Sequence, residues 1–544
     1  MGRLYRQKRI ALLLLMFLIS CMLLILKLFS IQIWQAQNLT TEAISQRMAS
    51  YQLDDGRGNI LDREGVPLTG HTREILIAFP FLIQDTSEVK EALGGIFNSS
   101  ELIEIENIIK STSDKKAVCA APGKGIQLTR EQARKIKELN IPGIVLAQEK
   151  ERYGKEPLAV HLIGQLRSEV GVSGIEGIFE NELKARSPEM ISVFLDGRDR
   201  ILQGLGYRYI PSEKNLAPLD VKLTLDYSIQ KLVEEKMDKY INRGAVVVMD
   251  PRNGDILAMA SRPQPDSNID GSYLNHNLEN YHPASVFKLV VAAAALEKGY
   301  YQINDKFTCG GQIEAGAHTF NCFHGPHGEV SMSQALAHSC NSAFIEMGLE
   351  IGGDSIIEYA VKMGLGERTG LYPSPHENWE SNYGSMPSYE ELLSPAGIAN
   401  AVLGHYQVKA TPLQVAQLLA IIANDGKLVS PRVVMELTTS KGVTVQRFNW
   451  DKGRTVLLPS TVKQIKLMMA GVTRFGTGQA AAVEGYATAG KTGTVQAGGS
   501  WFAGFTPVEF PTAVIVVFID ESKGHGYNAA YVYGKIMGEI LGRG

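Results

Sequence analysis

Hydrophobic positions are unevenly grouped along the chain. Residues 10–26 are apolar except for Ser20, and after Lys27 the apolar character continues from Leu28 to Trp34. A bilayer-spanning helix needs about 20 such residues, and a signal-peptide core only about 7–15. Residues 36–215 then mix charged, glycine-containing and amphipathic pieces without one dominant period. Within them, 57–65 reads as a short strand between turns. Thr129 with Gln132 forms a capping-box pattern that opens a helix over 130–139. Residues 171–176 read as a turn leading to a helix over 179–183. Beyond residue 220 the pattern tightens. It predicts a strand at 222–226, a helix at 228–240, and strands at 244–250 and 255–260 around the turn Pro251-Arg252-Asn253-Gly254. A second strand pair follows at 501–505 and 512–520, with a closing helix at 529–541. Helices at 285–296 and 412–423 lie between the two pairs. An antiparallel sheet built from both ends of a domain, with helices inserted, is an α+β arrangement.

Charge refines this picture. Arg3, Arg6, Lys8 and Arg9 precede the apolar run and the first acidic residue is Glu42, so the positive-inside rule places the N-terminus in the cytoplasm. The expected organisation is a cytoplasmic tail (1–9), a transmembrane anchor (10–34), and two parts outside the cytoplasm: 36–215, which alone reads as a structural or interaction module, and 216–544, where the pattern tightens. With 54 basic and 57 acidic residues there is no basic footprint, so no nucleic acid is expected as a partner. Five cysteines in 544 residues are too few for a disulfide framework.

Three short motifs carry candidate chemistry. Ser285-Val286-Phe287-Lys288 begins an apolar helix. Residues three apart share a helical face, so Lys288 can reach the Ser285 hydroxyl. A desolvated lysine can then serve as the base that activates the serine. Alone the spacing is weak, since Ser87/Lys90, Ser113/Lys116, Ser228/Lys231 and Ser460/Lys463 share it and read as solvated faces. Ser339-Cys340-Asn341 opens another helical segment, where a hydroxyl and an amide can relay protons and hold a substrate amide. Its plain alternative is a helix cap. Lys491-Thr492-Gly493-Thr494 lies just before the Trp501 strand pair. A cation, two hydroxyls and a glycine permitting close approach suit a carboxylate on a strand-like peptide.

Taken together, S-x-x-K, S-x-N and K-T-G in this order form the signature of penicillin-binding proteins and related β-lactamases. The chain resembles a class B, monofunctional penicillin-binding protein, a peptidoglycan D,D-transpeptidase. The resemblance includes the anchor, the Arg57–Gly65 segment, the stretch from Ala159 to Gly164, and Gly174-Ile175-Glu176. In the catalytic part it extends to Thr411-Pro412-Leu413-Gln414, Gly476-Thr477-Gly478 and the stretch from Trp501 to Phe505.

This resemblance implies the penicillin-binding-protein/serine β-lactamase-like α+β fold for a transpeptidase domain over 216–544, standing on an elongated pedestal over 36–215 behind one transmembrane helix. Ser285 would form an acyl-enzyme with the penultimate D-alanine of a stem peptide, and Lys288 would take its proton. Backbone N–H groups of Ser285 and Thr494 would form the oxyanion hole. Ser339 would protonate the leaving D-alanine while Asn341 positions Lys288 and the peptide. Lys491, Thr492 and Thr494 would hold the terminal carboxylate, with Gly493 allowing the approach. Peptidoglycan stem peptides, β-lactam antibiotics and a SEDS-type membrane glycosyltransferase are the implied partners, and no cofactor is implied. A membrane-anchored hydrolase (β-lactamase or D,D-carboxypeptidase) would use the same residues, but a deacylating E-x-x-L-N segment is not found. A β-lactam sensor would need more than nine cytoplasmic residues for its output.

Two features depart from the family pattern. Ala284 stands where glycine usually precedes the nucleophile, which tightens the turn if that position needs positive φ. Gly404-His405-Tyr406 replaces the expected Gly-Gln-Gly. Separately, six of eleven histidines fall between His276 and His338, and three of five cysteines between Cys309 and Cys340. Cys309, Cys322, His327 and Cys340 form C-x12-C-x4-H-x12-C, a set suited to tetrahedral zinc. A Cys322–Cys340 disulfide and three free thiols are the alternative readings.

Overall fold

The computed structural model describes residues 2–35, 48–54, 56–83, 85–111, 118–119, 128–184, 188–195, 207–210, 218–323, 325–449, 452–495, 499–520 and 528–542. The Ser113/Lys116 pair lies outside these residues. The chain divides into two compact units, and the division is not a single cut. One unit holds residues 1–56, 72–151 and 185–217, and the other holds 57–71, 152–184 and 218–544.

The first unit begins with a helix, Gly2–Phe29, continued by a π-helical turn, Ser30–Trp34. Between residues 10 and 26 its side chains are apolar on every side apart from Ser20 and mostly exposed, among them Leu12, Leu13, Phe17 and Leu23. A helix of this length with no polar face fits a bilayer as its solvent. In the same unit Met48–Asp54, Glu189–Phe194 and Tyr207–Ile210 form an antiparallel sheet. The strand His71–Ala78 lies between Val118–Cys119 and Ile144–Glu151 in a second sheet. Its side chains alternate between two cores, as the two-residue strand period requires. Leu76 and Ala78 pack with Val89, Leu93 and Ile105, while Ile75 and Ile77 pack with Ala49, Leu53 and Val193. The helix Arg130–Leu139 starts at the anticipated capping box, with Thr129 and Gln132 bonding each other's backbone N–H.

The second unit is built around a five-stranded antiparallel sheet. Its strands in chain order are β1 (Gly244–Met249), β2 (Ile256–Arg262), β3 (Ala489–Thr494), β4 (Gly499–Thr506) and β5 (Ala513–Asp520). They lie in the spatial order β2-β1-β5-β4-β3. Helices cover both faces: α1 (Tyr227–Tyr240) and α7 (Ala529–Gly542) on one side. On the other are α2 (Lys288–Glu297), α5 (Pro412–Ala423) and α6 (Pro459–Arg474). Val246, Val248, Ile515 and Val517 face α1 and α7, while Ala245, Val247, Val514 and Val516 face the opposite core. Two buried faces explain why these strands read as continuous apolar runs rather than alternating ones.

The strand expected at 222–226 is Asp220–Leu223. It stops early because Asp226 caps α1, accepting from the N–H groups of Ser228 and Ile229. This strand pairs in parallel with Ile60–Leu61 and antiparallel with Val434–Thr438. Around it lies a buried charge network. Arg57 Nε is 2.8 Å from Glu176 Oε2, Arg57 Nη2 is 2.6 Å from Glu180 Oε2, and Arg152 Nε is 2.6 Å from Glu176 Oε1. Arg57 and Glu176 are 3 % and 0 % exposed, so each charge depends on its partners.

Candidate active site

The helix carrying Ser285 begins as a 3-10 turn, Ala284–Phe287, and becomes α-helical at Lys288. In a 3-10 turn residues three apart eclipse one another, so Ser285 and Lys288 lie on one line. The turn is entered through Ala284 at φ 49°, in the left-handed region that glycine adopts most easily. Ala284 N–H donates to the carbonyl of Gly404, and the indole N–H of Trp501 donates to His282 O, which together fix the approach of the chain to Ser285. Residues 288–295 are all buried, Lys288 included. Lys90, Lys231 and Lys463, from pairs of the same spacing, are exposed. Burial is what separates this Ser/Lys pair from the others.

Lys288 Nζ donates to Ser339 O (2.8 Å), Ser339 Oγ (3.3 Å) and Asn341 Oδ1 (2.7 Å). Its ammonium also lies 5.5 Å from the centre of the Phe344 ring. Burial lowers its pKa from 10.5 to about 7. Ser285 Oγ itself has no hydrogen-bond partner among the described residues. Its amine neighbour is held by the second motif, an arrangement common before substrate tightens a site.

Ser339 ends one helix rather than opening the next. It follows α3 (Met332–Ala337) as the left-handed residue of a Schellman turn, with φ 55°. Ser339 N–H donates to Leu336 O and Cys340 N–H to Ala335 O, the bond pair of that motif. Glycine usually takes this position, so a serine here costs about 1–3 kcal/mol of strain. The hydroxyl it presents is the return. Asn341 then starts α4 (Asn341–Ile351), and its Nδ2 donates to Asn321 O at 2.7 Å.

The third motif lies inside a strand. Lys491, Thr492, Gly493 and Thr494 belong to β3 at the sheet edge, paired with Ala503, Phe502, Trp501 and Ser500 of β4. Lys491 is fully buried, with its Nζ donating to Ser339 Oγ (3.1 Å) and Thr492 O (2.8 Å). Burial first, and then the charge of Lys288, hold its pKa well below the usual lysine range. Gly493 lies close against the turn that carries Ser285. A β-carbon there would lie 2.9 Å from Pro283 O and 3.3 Å from the Val286 side chain. Val495 N–H donates back to Gly499 O, so by strand alternation the Thr494 N–H points to the open edge.

All eight expected residues thus converge, and Ser285, Ser339, Asn341, Thr492, Gly493 and Thr494 line one cleft of about 1100 Å³. Lys288 and Lys491 sit in its floor. Thr477, quoted above only within a motif, joins them, since its Oγ1 lies 2.6 Å from Thr492 Oγ1. His282, His405, Tyr406 and Phe323 form further parts of the wall. His405 and Tyr406 come from the stretch that departs from the family pattern, which places that departure at the cleft.

The family described as penicillin binding protein transpeptidase domain matches residues 244–542. The chain is 29% identical to stage V sporulation protein D of Bacillus subtilis, over 98% of this chain and 85% of that one. It is 26% identical to peptidoglycan D,D-transpeptidase FtsI of Escherichia coli, over 94% and 87%. The fold is similar to the crystal structure of a D,D-transpeptidase domain from Eggerthella lenta, with a TM-score of 0.63 and 24% identity over 90% of this chain and 99% of that one. This pattern fits transfer rather than the hydrolase alternative. With the transpeptidase domain matched over more than half its length and homologues named as peptidoglycan D,D-transpeptidases along nearly all of it, the chain belongs to the penicillin-binding-protein transpeptidase family, as a serine acyltransferase of the class B type.

Proposed function

We propose that Ser285 is the nucleophile of peptidoglycan cross-linking and that Lys288 is its base. Ser285 Oγ attacks the penultimate D-alanine carbonyl of a stem peptide, and its proton passes to Lys288 Nζ. The tetrahedral oxyanion is held by the N–H groups of Ser285 and Thr494. The amide C–N bond then breaks, and the leaving D-alanine takes a proton relayed through Ser339. An amine from a neighbouring stem peptide attacks the ester and releases Ser285. β-Lactams acylate the same oxygen. Asn341 positions Lys288, while Lys491, Thr492 and Thr494 hold the terminal carboxylate of the donor.

The observation that carries this reading is the meeting of both lysine amines on Ser339 Oγ in the floor of the cleft that Ser285 lines. The Ser285 N–H makes no hydrogen bond among the described residues, which supports its role as an oxyanion donor. The basic N-terminal residues support a cytoplasmic N-terminus, with the catalytic domain outside. The region from 36 to 215 then serves as a pedestal, and it and the anchor engage a SEDS-type glycosyltransferase that supplies nascent strands.

Fluorescent penicillin applied to membranes tests the assignment. Wild type takes a persistent label and Ser285→Ala takes none. Equal labelling of both would overturn the choice of serine, and label lost within seconds from wild type would favour the hydrolase.

A further inference from the structure

One cluster of ligating side chains is left unused by acyl transfer. Cys309 ends the strand Lys306–Cys309, and Cys322 follows the strand His318–Asn321. His327 precedes the strand Gly328–Ser331, and Cys340 lies between Ser339 and Asn341. Two antiparallel pairings, 306–309 with 328–331 and 312–315 with 318–321, help fold this stretch back on itself. The Cys309 and Cys322 sulfurs are 3.5 Å apart, those of Cys322 and Cys340 are 3.8 Å apart, and Cys309 Sγ is 3.4 Å from His327 Nδ1. All four ligand atoms lie within 4.8 Å of one another. The three cysteines are 1 %, 6 % and 0 % exposed.

These separations are far from the roughly 2.05 Å of a disulfide. They are close to the edges of a metal tetrahedron. With metal–sulfur bonds of about 2.3 Å and metal–nitrogen bonds of about 2.0–2.1 Å, sulfur–sulfur edges are about 3.8 Å and sulfur–nitrogen edges about 3.6 Å. We propose that Cys309, Cys322, His327 and Cys340 bind one zinc ion in a closed, structural site. Three soft thiolates and one imidazole, with no carboxylate, select zinc over calcium or magnesium, which require oxygen ligands. Four protein ligands leave no position open for water. The surroundings suit bound thiolates: Ser342 Oγ lies 3.4 Å from Cys322 Sγ and 3.6 Å from Cys309 Sγ, and Ser342 N–H donates to Cys322 Sγ.

The ion's place in the fold gives it a purpose. Cys340 is flanked by Ser339 and Asn341, the two residues that hold Lys288. Asn341 is also tied to Asn321 O, next to Cys322. Zinc therefore pins the second catalytic motif from both sides, joining the 306–331 excursion to the start of α4.

Elemental analysis of the full chain, purified in detergent with reductant and without chelator, tests this. About one zinc per chain is expected. His327→Ala and Cys309→Ser should lose it, while His327→Cys, which supplies a fourth thiolate, should retain it. Chelation should expose three further reactive thiols, and cobalt(II) added afterwards should give sulfur-to-metal charge-transfer absorption. Absence of zinc, with a thiol count indifferent to chelator or with a Cys322–Cys340 disulfide, would overturn the proposal. So would zinc that persists in both loss variants. Metal content is measured apart from penicillin labelling, so failure here leaves the Ser285 assignment standing.

Discussion

Lys288 and Lys491 aim their amines at a single oxygen, Ser339 Oγ, at 3.3 and 3.1 Å. Both lysines are fully buried, so two full positive charges in this space oppose each other as well as their own desolvation. The pair is best satisfied when at least one amine is neutral. A neutral amine near neutral pH is what the base proposed for Ser285 requires.

The pH dependence follows from that requirement. A base must be deprotonated, and the Lys288 pKa is pulled down to about 7. The second-order rate of β-lactam acylation should therefore rise through about pH 7 and level off above it, when followed from about pH 5 to about pH 9. Lys288→Arg, which holds its proton throughout, should lower the plateau by about 10²–10⁴-fold. Stability carries the same sign. Between the folded value and the ordinary 10.5 the unfolded chain holds a proton that the folded chain has released, so this residue's contribution grows as pH rises across that window. A flat acylation profile would exclude Lys288 as the base.

Ser339→Ala removes the shared acceptor and leaves the Lys288 contacts to Ser339 O and Asn341 Oδ1 in place. A hydrogen bond to a charged group is worth about 1.5–3 kcal/mol, so acylation should slow by about 10- to 150-fold. Stopped-flow measurement with a chromogenic β-lactam would read this loss. The fold should be retained, because alanine occupies the left-handed position at a cost similar to serine's.

Glu176→Ala takes the carboxylate partner from the largely buried Arg152 and leaves the buried Arg57 with Glu180 alone. Breaking a buried pair by removing one partner costs about 3–5 kcal/mol. Urea unfolding followed through loss of penicillin labelling should show a loss of that size. Glu138→Ala breaks the exposed pair with Arg134 (Arg134 71 % and Glu138 67 % exposed) and should change stability by less than about 1 kcal/mol.

Gly404 touches the turn that carries Ser285 directly. At φ +67°, a β-carbon here would sit 2.2 Å from Ala284 O, so Gly404→Ala must displace the backbone beside Ser285. A shift approaching 1 Å should cost about 10²-fold in acylation. Gly485→Ala provides the comparison. Its φ is +80° but nothing lies within 4 Å of the added carbon, so only the conformational cost of about 1–2 kcal/mol remains.

Local chemistry was legible in the sequence. Thr129 with Gln132, and the helix Pro412–Ala423 behind Thr411, are set by capping and apolar content within a dozen residues. The three motifs announced the chemistry through residue type and order. What escaped reading depends on distant partners. Gly-Lys-Thr-Gly has little strand propensity of its own, and β3 exists because β4 pairs with it along its length. Ser339 takes a glycine's conformation for the sake of its hydroxyl, so propensity misplaced it by one helix. The burial of Lys288 and Lys491 and the Thr477–Thr492 contact arise only when helix, loop and strand meet. Residues 57–71 and 152–184 packing with 218–544 is likewise a product of long-range pairing, through Ile60–Leu61 and the Arg57 network.

The helix behind Ser285 has no free surface along residues 288–295. Under antibiotic selection this restricts which genetic routes are open. Replacements on that helix disturb the core before they disturb the drug. Exposed positions at the cleft wall, such as Phe323 and Tyr406, carry no such burden. Heritable changes in drug sensitivity should accumulate at that rim, while the helix behind Ser285 stays unaltered among survivors.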